Sequence, residues 1–276
     1  MPAKRGKNFR SGDIAEQLGL YLIQSVALGA PVPRTEDVGI DVVCTLISNY
    51  NQYSYLAEDS FYVQIKSTSV KEIEYKGVEV EWLRKLKLPF FVAVVDKMEA
   101  KISIYTCKRL YDAFALNKDR EVVKLVLDSE EKCKQFDFVD KDEEKIYLGI
   151  PIIEWSINDL MNNEEEIKEK VFVIIKEHIR IVHKAMELYD IGWGMTYGWK
   201  TNEMPYMIGE KASSILNITE DELYGRMMNY LIKSLEYSLI NNDFGMIDEA
   251  EAVIKEFREV YNKFSVKKED DRYGRT

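Results

Sequence analysis

An α/β core followed by an all-α region is what this sequence predicts, on three observations. Segments of strand length, alternating or unbroken in their apolar residues, recur between residues 38 and 127. Helical periods precede and interrupt them, at 11–28, around 80–88 and near 108–117. From about residue 156 the pattern changes to long helices. The α/β part is thus expected over 1–155, a helical domain over 156–264, and a charged tail over 265–276. A chain of 276 residues, 46% of them hydrophobic, suffices for a sizeable core and two domains.

The first helix rests on Ile14, Leu18, Tyr21, Leu22 and Ser25 at helical spacing, with Ser11 or Asp13 available near its start. Gly29-Ala30-Pro31-Val32-Pro33 ends it and turns the chain. Glu36 and Asp37, just before the next strand, are turn or solvent residues: Asp37 lies ~13 Å from Asp41 in extended chain. A strand follows over 40–47, and 48–60 reads as a polar, Tyr-rich hairpin connection. Its tyrosines either stack on nucleic-acid bases or reflect the ordinary composition of a hairpin tip. Phe61, Val63 and Ile65 alternate with Tyr62, Gln64 and Lys66 in the next strand. After Ser67-Thr68-Ser69 a charged segment leads to a helix around Val80–Leu88. Residues 89–96 form an unbroken apolar run, a strand buried on both faces, and the alternating 101–106 is its hairpin partner. A helix near 108–117 and a strand near 121–127 come next. Residues 128–145 form a charged excursion, and 146–155 bring the chain back.

In the second half Ile167, Val171, Ile174, Ile175, Val182, Met186 and Tyr189 make one helical stripe. His178 and His183 are five apart on it, about 140° round the helix, which suits satisfied structural histidines better than a shared metal. Gly192 to Trp199 reads as a helix-to-helix turn with buried tryptophans, against the alternative of a ligand or partner surface. Thr219-Glu220-Asp221-Glu222 is a capping-box signature, and Met246 to Phe264 makes the last amphipathic helix. These helices point to assembly, as a homodimer or with a protein partner.

Composition excludes several classes. No window holds eighteen uninterrupted apolar residues and the start lacks a signal-peptide core, so a cytoplasmic protein without membrane spans is expected. Cys44, Cys107 and Cys133 are odd in number and far apart, which gives neither a disulfide framework nor a zinc cluster. Net charge is −10, but residues 1–127 carry 18 Lys and Arg against 16 Asp and Glu, and the remainder 20 against 32. A polyanion can therefore approach the first half, particularly along Lys4, Arg5, Lys7 and Arg10, unless these are only a disordered basic leader.

The chemistry concentrates in Gly39-Ile40-Asp41 and Gln64-Ile65-Lys66. Gln64 and Lys66 emerge side by side on one strand face, with Asp41 on a neighbouring strand. Asp41, the Gln64 amide oxygen and the Ile65 backbone carbonyl are hard oxygen ligands for Mg²⁺ or Mn²⁺, and Lys66 can hold an attacking water or offset phosphate charge. Together with Glu16 in the first helix, these motifs resemble the active-site pattern of the PD-(D/E)XK nuclease superfamily, in its Mrr-like branch with Gln in place of the usual acid. Their order also resembles a prokaryotic, defence-associated domain of unknown function placed in that superfamily. The resemblance covers roughly residues 10–155. It implies a restriction-endonuclease-like core, a metal site that Glu16 faces from its helix, DNA more than RNA as substrate, and a role against phage.

A Mg²⁺-dependent endonuclease is therefore the leading expectation. A module of the same fold that binds nucleic acid or a protein partner without cutting is the second. In the third, Asp41 and Lys66 are a strand-end ion pair in a structural domain.

Overall fold

The computed structural model describes residues 8–33, 39–51, 53–117, 119–127, 144–189 and 194–211, with Ile232 and Glu236 in helix. Outside these lie Lys4, Arg5 and Lys7 of the basic leader (Arg10 is in the first helix), the 34–37 turn, nearly all of the charged excursion, Cys133, the capping box at 219–222, the last helix and the tail. By its contacts the chain divides at Ile215/Leu216, not at 155/156, so the long helix belongs to the same compact unit as the α/β part.

A mixed six-stranded sheet organises that unit. The first helix, α1 (Asn8–Gln24), leads into β1 (Leu28–Pro31), β2 (Val42–Asn51) and β3 (Ser54–Ser67). After β4 (Glu72–Lys76) and α2 (Val78–Lys85) come β5 (Phe90–Asp96), β6 (Lys101–Thr106) and α3 (Lys108–Leu116). Next are β7 (Val122–Val126), β8 (Lys145–Tyr147), β9 (Ile153–Ser156), α4 (Ile157–Tyr189), and a hairpin of β10 (Gly194–Gly198) and β11 (Tyr206–Lys211). The large sheet runs β1-β2-β3-β5-β6-β9, with β3 and β5 parallel and its other neighbours antiparallel. The strands β4, β7 and β8 form a separate sheet.

Alternation sorts the side chains into two cores. Val42, Cys44, Phe61, Val63, Ile65, Phe91, Ala93 and Val95 face α1 and α4, where Leu22, Ile23, Ile174 and Ile175 meet them. Phe90, Val92, Val94 and Tyr105 face the other way, onto α2, α3 and the small sheet. Every residue from Phe90 to Val95 is buried, as an unbroken apolar run requires when both faces are covered. Cys44 and Cys107 are buried and free, and burial pushes the Cys44 thiol up to about 12. No helix among the described residues is long and apolar enough to cross a membrane.

Several elements differ from the sequence reading. Leu28–Pro31 is not only a turn: it is an edge strand on β2, where Pro31 is tolerated at the strand's last position. The polar segment 48–60 continues the β2–β3 ladder as far as the Asn51↔Ser54 pair, because cross-strand hydrogen bonding does not need apolar side chains. The charged segment after Ser69 contains β4, whose Ile73 and Tyr75 point inward between exposed Glu72, Glu74 and Lys76. The turn expected near Gly192–Trp199 includes strand β10, and the region after 156 is therefore not all-α. His183 is exposed; His178 is buried, and neither of its ring nitrogens has a hydrogen-bond partner among the described residues.

Candidate active site

The site forms because β3 outruns its neighbour. The β2–β3 pairing begins at Val42↔Val63, whereas β3 continues alongside β5 to Ser67↔Val95. Among the described residues, 64–67 thus have a strand on one side only. Tyr62 donates its N–H to Pro89 on the β5 side, and Val63 accepts from Asp41 N at 3.0 Å on the β2 side. By strand alternation the N–H and C=O of Ile65 face the β2 side as well, just where β2 is missing. The Asp41 carboxylate fills that place: Ile65 N–H donates to Asp41 Oδ2 at 2.5 Å. Gly39 makes the approach feasible. Its φ is +85°, and a Cβ there would stand 3.3 Å from the Trp82 ring of α2.

Gln64 and Lys66 share the face opposite Ile65. Gln64 is only 5% exposed, because the small sheet covers it, and Tyr75 of β4 donates its hydroxyl to Gln64 Oε1 at 2.6 Å. The other end of the amide, Nε2, lies 3.9 Å from the position of a Cβ on Gly39. Burial pushes the Tyr75 hydroxyl's pKa up; Cys107, Asp41 and Glu79 push the same way, against the Gln64 hydrogen bond. Lys66, one pleat further on, is half-buried and has no hydrogen bond or ion pair to another described residue. The strand-end ion pair expected in the third reading is thus absent among the described residues.

Glu16 comes from the other side of the sheet. A Cβ on Gly19 would lie 2.9 Å from Ile65 Cγ2 and 3.0 Å from Val95 Cγ2, so α1 packs on the face away from Gln64 and Lys66. Ile23 and Val42 each stand 3.4 Å from the Cβ position of Gly29, which sets the C-terminal end of α1 beside the start of β2. The helix therefore runs antiparallel to β3. Seven residues earlier, Glu16 has nearly the azimuth of Ile23, within about 20°, displaced ~10 Å along the axis. That is about three residues of strand, the level of Lys66 and the gap beyond β2. Glu16 is half-buried there.

No protein-family model, curated protein or solved structure matches this chain.

Among the described residues no group of three His, Cys, Asp or Glu could hold a metal. Two grooves lie elsewhere: one of about 370 Å³ at Lys101, Glu154 and Asp159, the other of about 480 Å³ at Tyr55, Lys168 and Phe172. Sequence reasoning missed Tyr75 and Trp82. The inward alternation of Ile73 and Tyr75 was the available signal for the first; for Trp82 there was none, since only the tertiary approach of α2 brings it to Gly39.

Proposed function

We propose that the chain is a metal-dependent nuclease of restriction-endonuclease-like fold, with DNA as the favoured polymer and antiphage defence as the setting the resemblance implies. The observation that carries this reading is the end of β3, where Asp41 crosses the missing β2 position to Ile65 while Gln64 and Lys66 stand on adjacent pleats. Its donors are all oxygens, which suits Mg²⁺ or Mn²⁺ over softer ions. Asp41, the Ile65 carbonyl, Gln64 Oε1 and Glu16 are the groups that would hold the ion. When bound, it would polarise a phosphoryl oxygen and acidify a water. Lys66, with no anionic partner among the described residues, is available to offset charge on the phosphate or hold the water.

One observation favours the second reading, a module of this fold that binds nucleic acid or a protein partner without cutting. Both Gln64 Oε1 and Asp41 Oδ2 are already engaged by protein donors. The C-terminal helices would serve assembly in either reading. The deciding experiment incubates purified protein with DNA and RNA, single- and double-stranded, in Mg²⁺, Mn²⁺ or chelator, beside Asp41→Ala. Cleavage that needs the metal and falls ~10²–10³-fold in the variant supports the nuclease. Binding without cleavage under every condition selects the second reading, and equal cleavage by both proteins places the activity at another site.

A further inference from the structure

The β2–β3 hairpin outgrows the sheet that carries it. β1 pairs with β2 no further than Leu28↔Thr45, and β5 joins β3 only from Tyr62 on. Residues 46–51 and 54–60 thus make a two-stranded ribbon with no third strand among the described residues. Such a ribbon is marginal unless something packs on it. Its two edges differ. The β3 edge carries Glu58 and Asp59, set as a bulge opposite the single Leu46, and both charge and bulge turn another strand away. The β2 edge, Leu46-Ile47-Ser48-Asn49-Tyr50-Asn51, has neither charge nor proline. Its backbone is also aimed outward. Tyr62 turns its N–H to the β5 side, so Val43 opposite it turns to the β1 side. By alternation Ile47 and Asn49 turn the same way, past the point where β1 ends.

We propose that two copies of this chain join edge to edge, antiparallel, through β2, so that one sheet continues across a two-fold axis. A second copy is the occupant because the ribbon offers both halves of a contact, as a two-fold interface requires. Tyr53 at the tip is 89% exposed, and the groove of about 480 Å³ at the ribbon's base is walled by Val26, Ile47, Tyr55 and Phe172. In an antiparallel join each tip points to the base of the other ribbon, so the tyrosine of one copy meets the groove of the other. Charge agrees with this. An uncharged edge does not repel its own copy, whereas the absence of Lys and Arg between Arg34 and Lys66 leaves the ribbon without a cation for phosphate. The ribbon lies at the other end of β3 from Lys66, and the inference does not depend on the metal-dependent reading.

The test is sedimentation of the full chain across micromolar concentrations, for wild type, Tyr53→Ala, Asn49→Lys, Asn49→Asp and an equal mixture of the last two. Wild type should sediment as two chains. Tyr53→Ala should raise the dissociation constant about tenfold or more, the usual loss for a tyrosine that anchors an interface. Each charged variant should weaken association about as much, by bringing like charge together near the axis, and their mixture should return to within about threefold of wild type. A single-chain wild type overturns the proposal, whether or not the ribbon then binds nucleic acid or another protein. A dimer that Tyr53→Ala and the charged variants leave unchanged lies on another surface and overturns it too. So does a mixture that gains nothing over its parts, since the two Asn49 would then not meet. If a charged variant fails to fold, Tyr53→Ala decides alone, because a side chain that exposed does not carry the fold.

Discussion

At the end of β3 the buried polar groups have hydrogen-bond partners; where α3 and α4 meet beside Trp199, some buried polar groups have none among the described residues. Gln64 gives its oxygen to Tyr75 and leaves its nitrogen toward Gly39, and Asp41 reaches a backbone N–H beside a gap in the sheet. In the second region Lys108 is tied to Asp112 at 2.6 Å and Arg109 donates to the Tyr147 carbonyl at 2.8 Å. His178, only 1% exposed, has the Trp199 ring edge-on at 5.7 Å, and neither its nitrogens nor the Tyr111 hydroxyl has a partner among the described residues. Burial alone does not mark a site. A polar group can act on a ligand only where one direction is open, and at His178 none is. Burial holds that imidazole neutral, with its pKa pushed down to about 3.

The largest effect that sharpens this contrast is on rate. Lys66→Ala should cut cleavage by ~10²–10³, as loss of a preorganised charge does. Its melting temperature should stay within a degree or two of wild type, since a half-buried lysine on a strand end, with no partner among the described residues, contributes little packing. Full activity in a folded Lys66→Ala would erase the distinction between the two regions.

The second effect is on stability and its pH dependence. His178 must be neutral in the folded chain, while in the unfolded chain it protonates near its usual value of 6.5. Its share of stability is therefore intact above about pH 6.5 and declines as pH falls toward 3, by a few kcal/mol in all. His178→Leu should flatten the fall in urea stability between pH 6.5 and 4, judged by difference from wild type, and leave cleavage per folded molecule unchanged. A variant with the wild-type slope would show that His178 finds a partner in solution.

The smallest effect tests the wall behind the site. Gly19→Ala brings a methyl within 3.0 Å of Ile65 and Val95 side chains, an overpacking that costs about 1–3 kcal/mol. Thermal unfolding should drop by several degrees, and because Ile65 lies between Gln64 and Lys66, activity should fall more than at His178→Leu. No loss of stability would mean that α1 is not packed against Ile65 as described.

The sequence by itself determined the strands and helices whose apolar period is local. The 90–96 run, the 101–106 partner and the alternation of 61–66 were legible because each strand's burial follows from its own residues. Asp41, Gln64 and Lys66 were legible as candidates because charged or amide side chains inside apolar segments stand out without any contact being known, with the Ile65 carbonyl between the last two; Glu16 entered only through the resemblance. Only the tertiary structure decided what those side chains touch. The face carrying Gln64 is roofed by a second sheet whose strands β4 and β7 pair across about fifty residues of intervening chain, a pairing no local period encodes. Charged edges hid β4, prolines and glycines hid β1, and aromatic-glycine composition hid β10. In each, cross-strand hydrogen bonds, which any backbone can make once a partner strand is in place, outweighed side-chain propensity. The same non-local assembly put Tyr75 onto Gln64 and left the β3 edge open beside Asp41, because where one strand stops and its neighbour continues is a property of the pair.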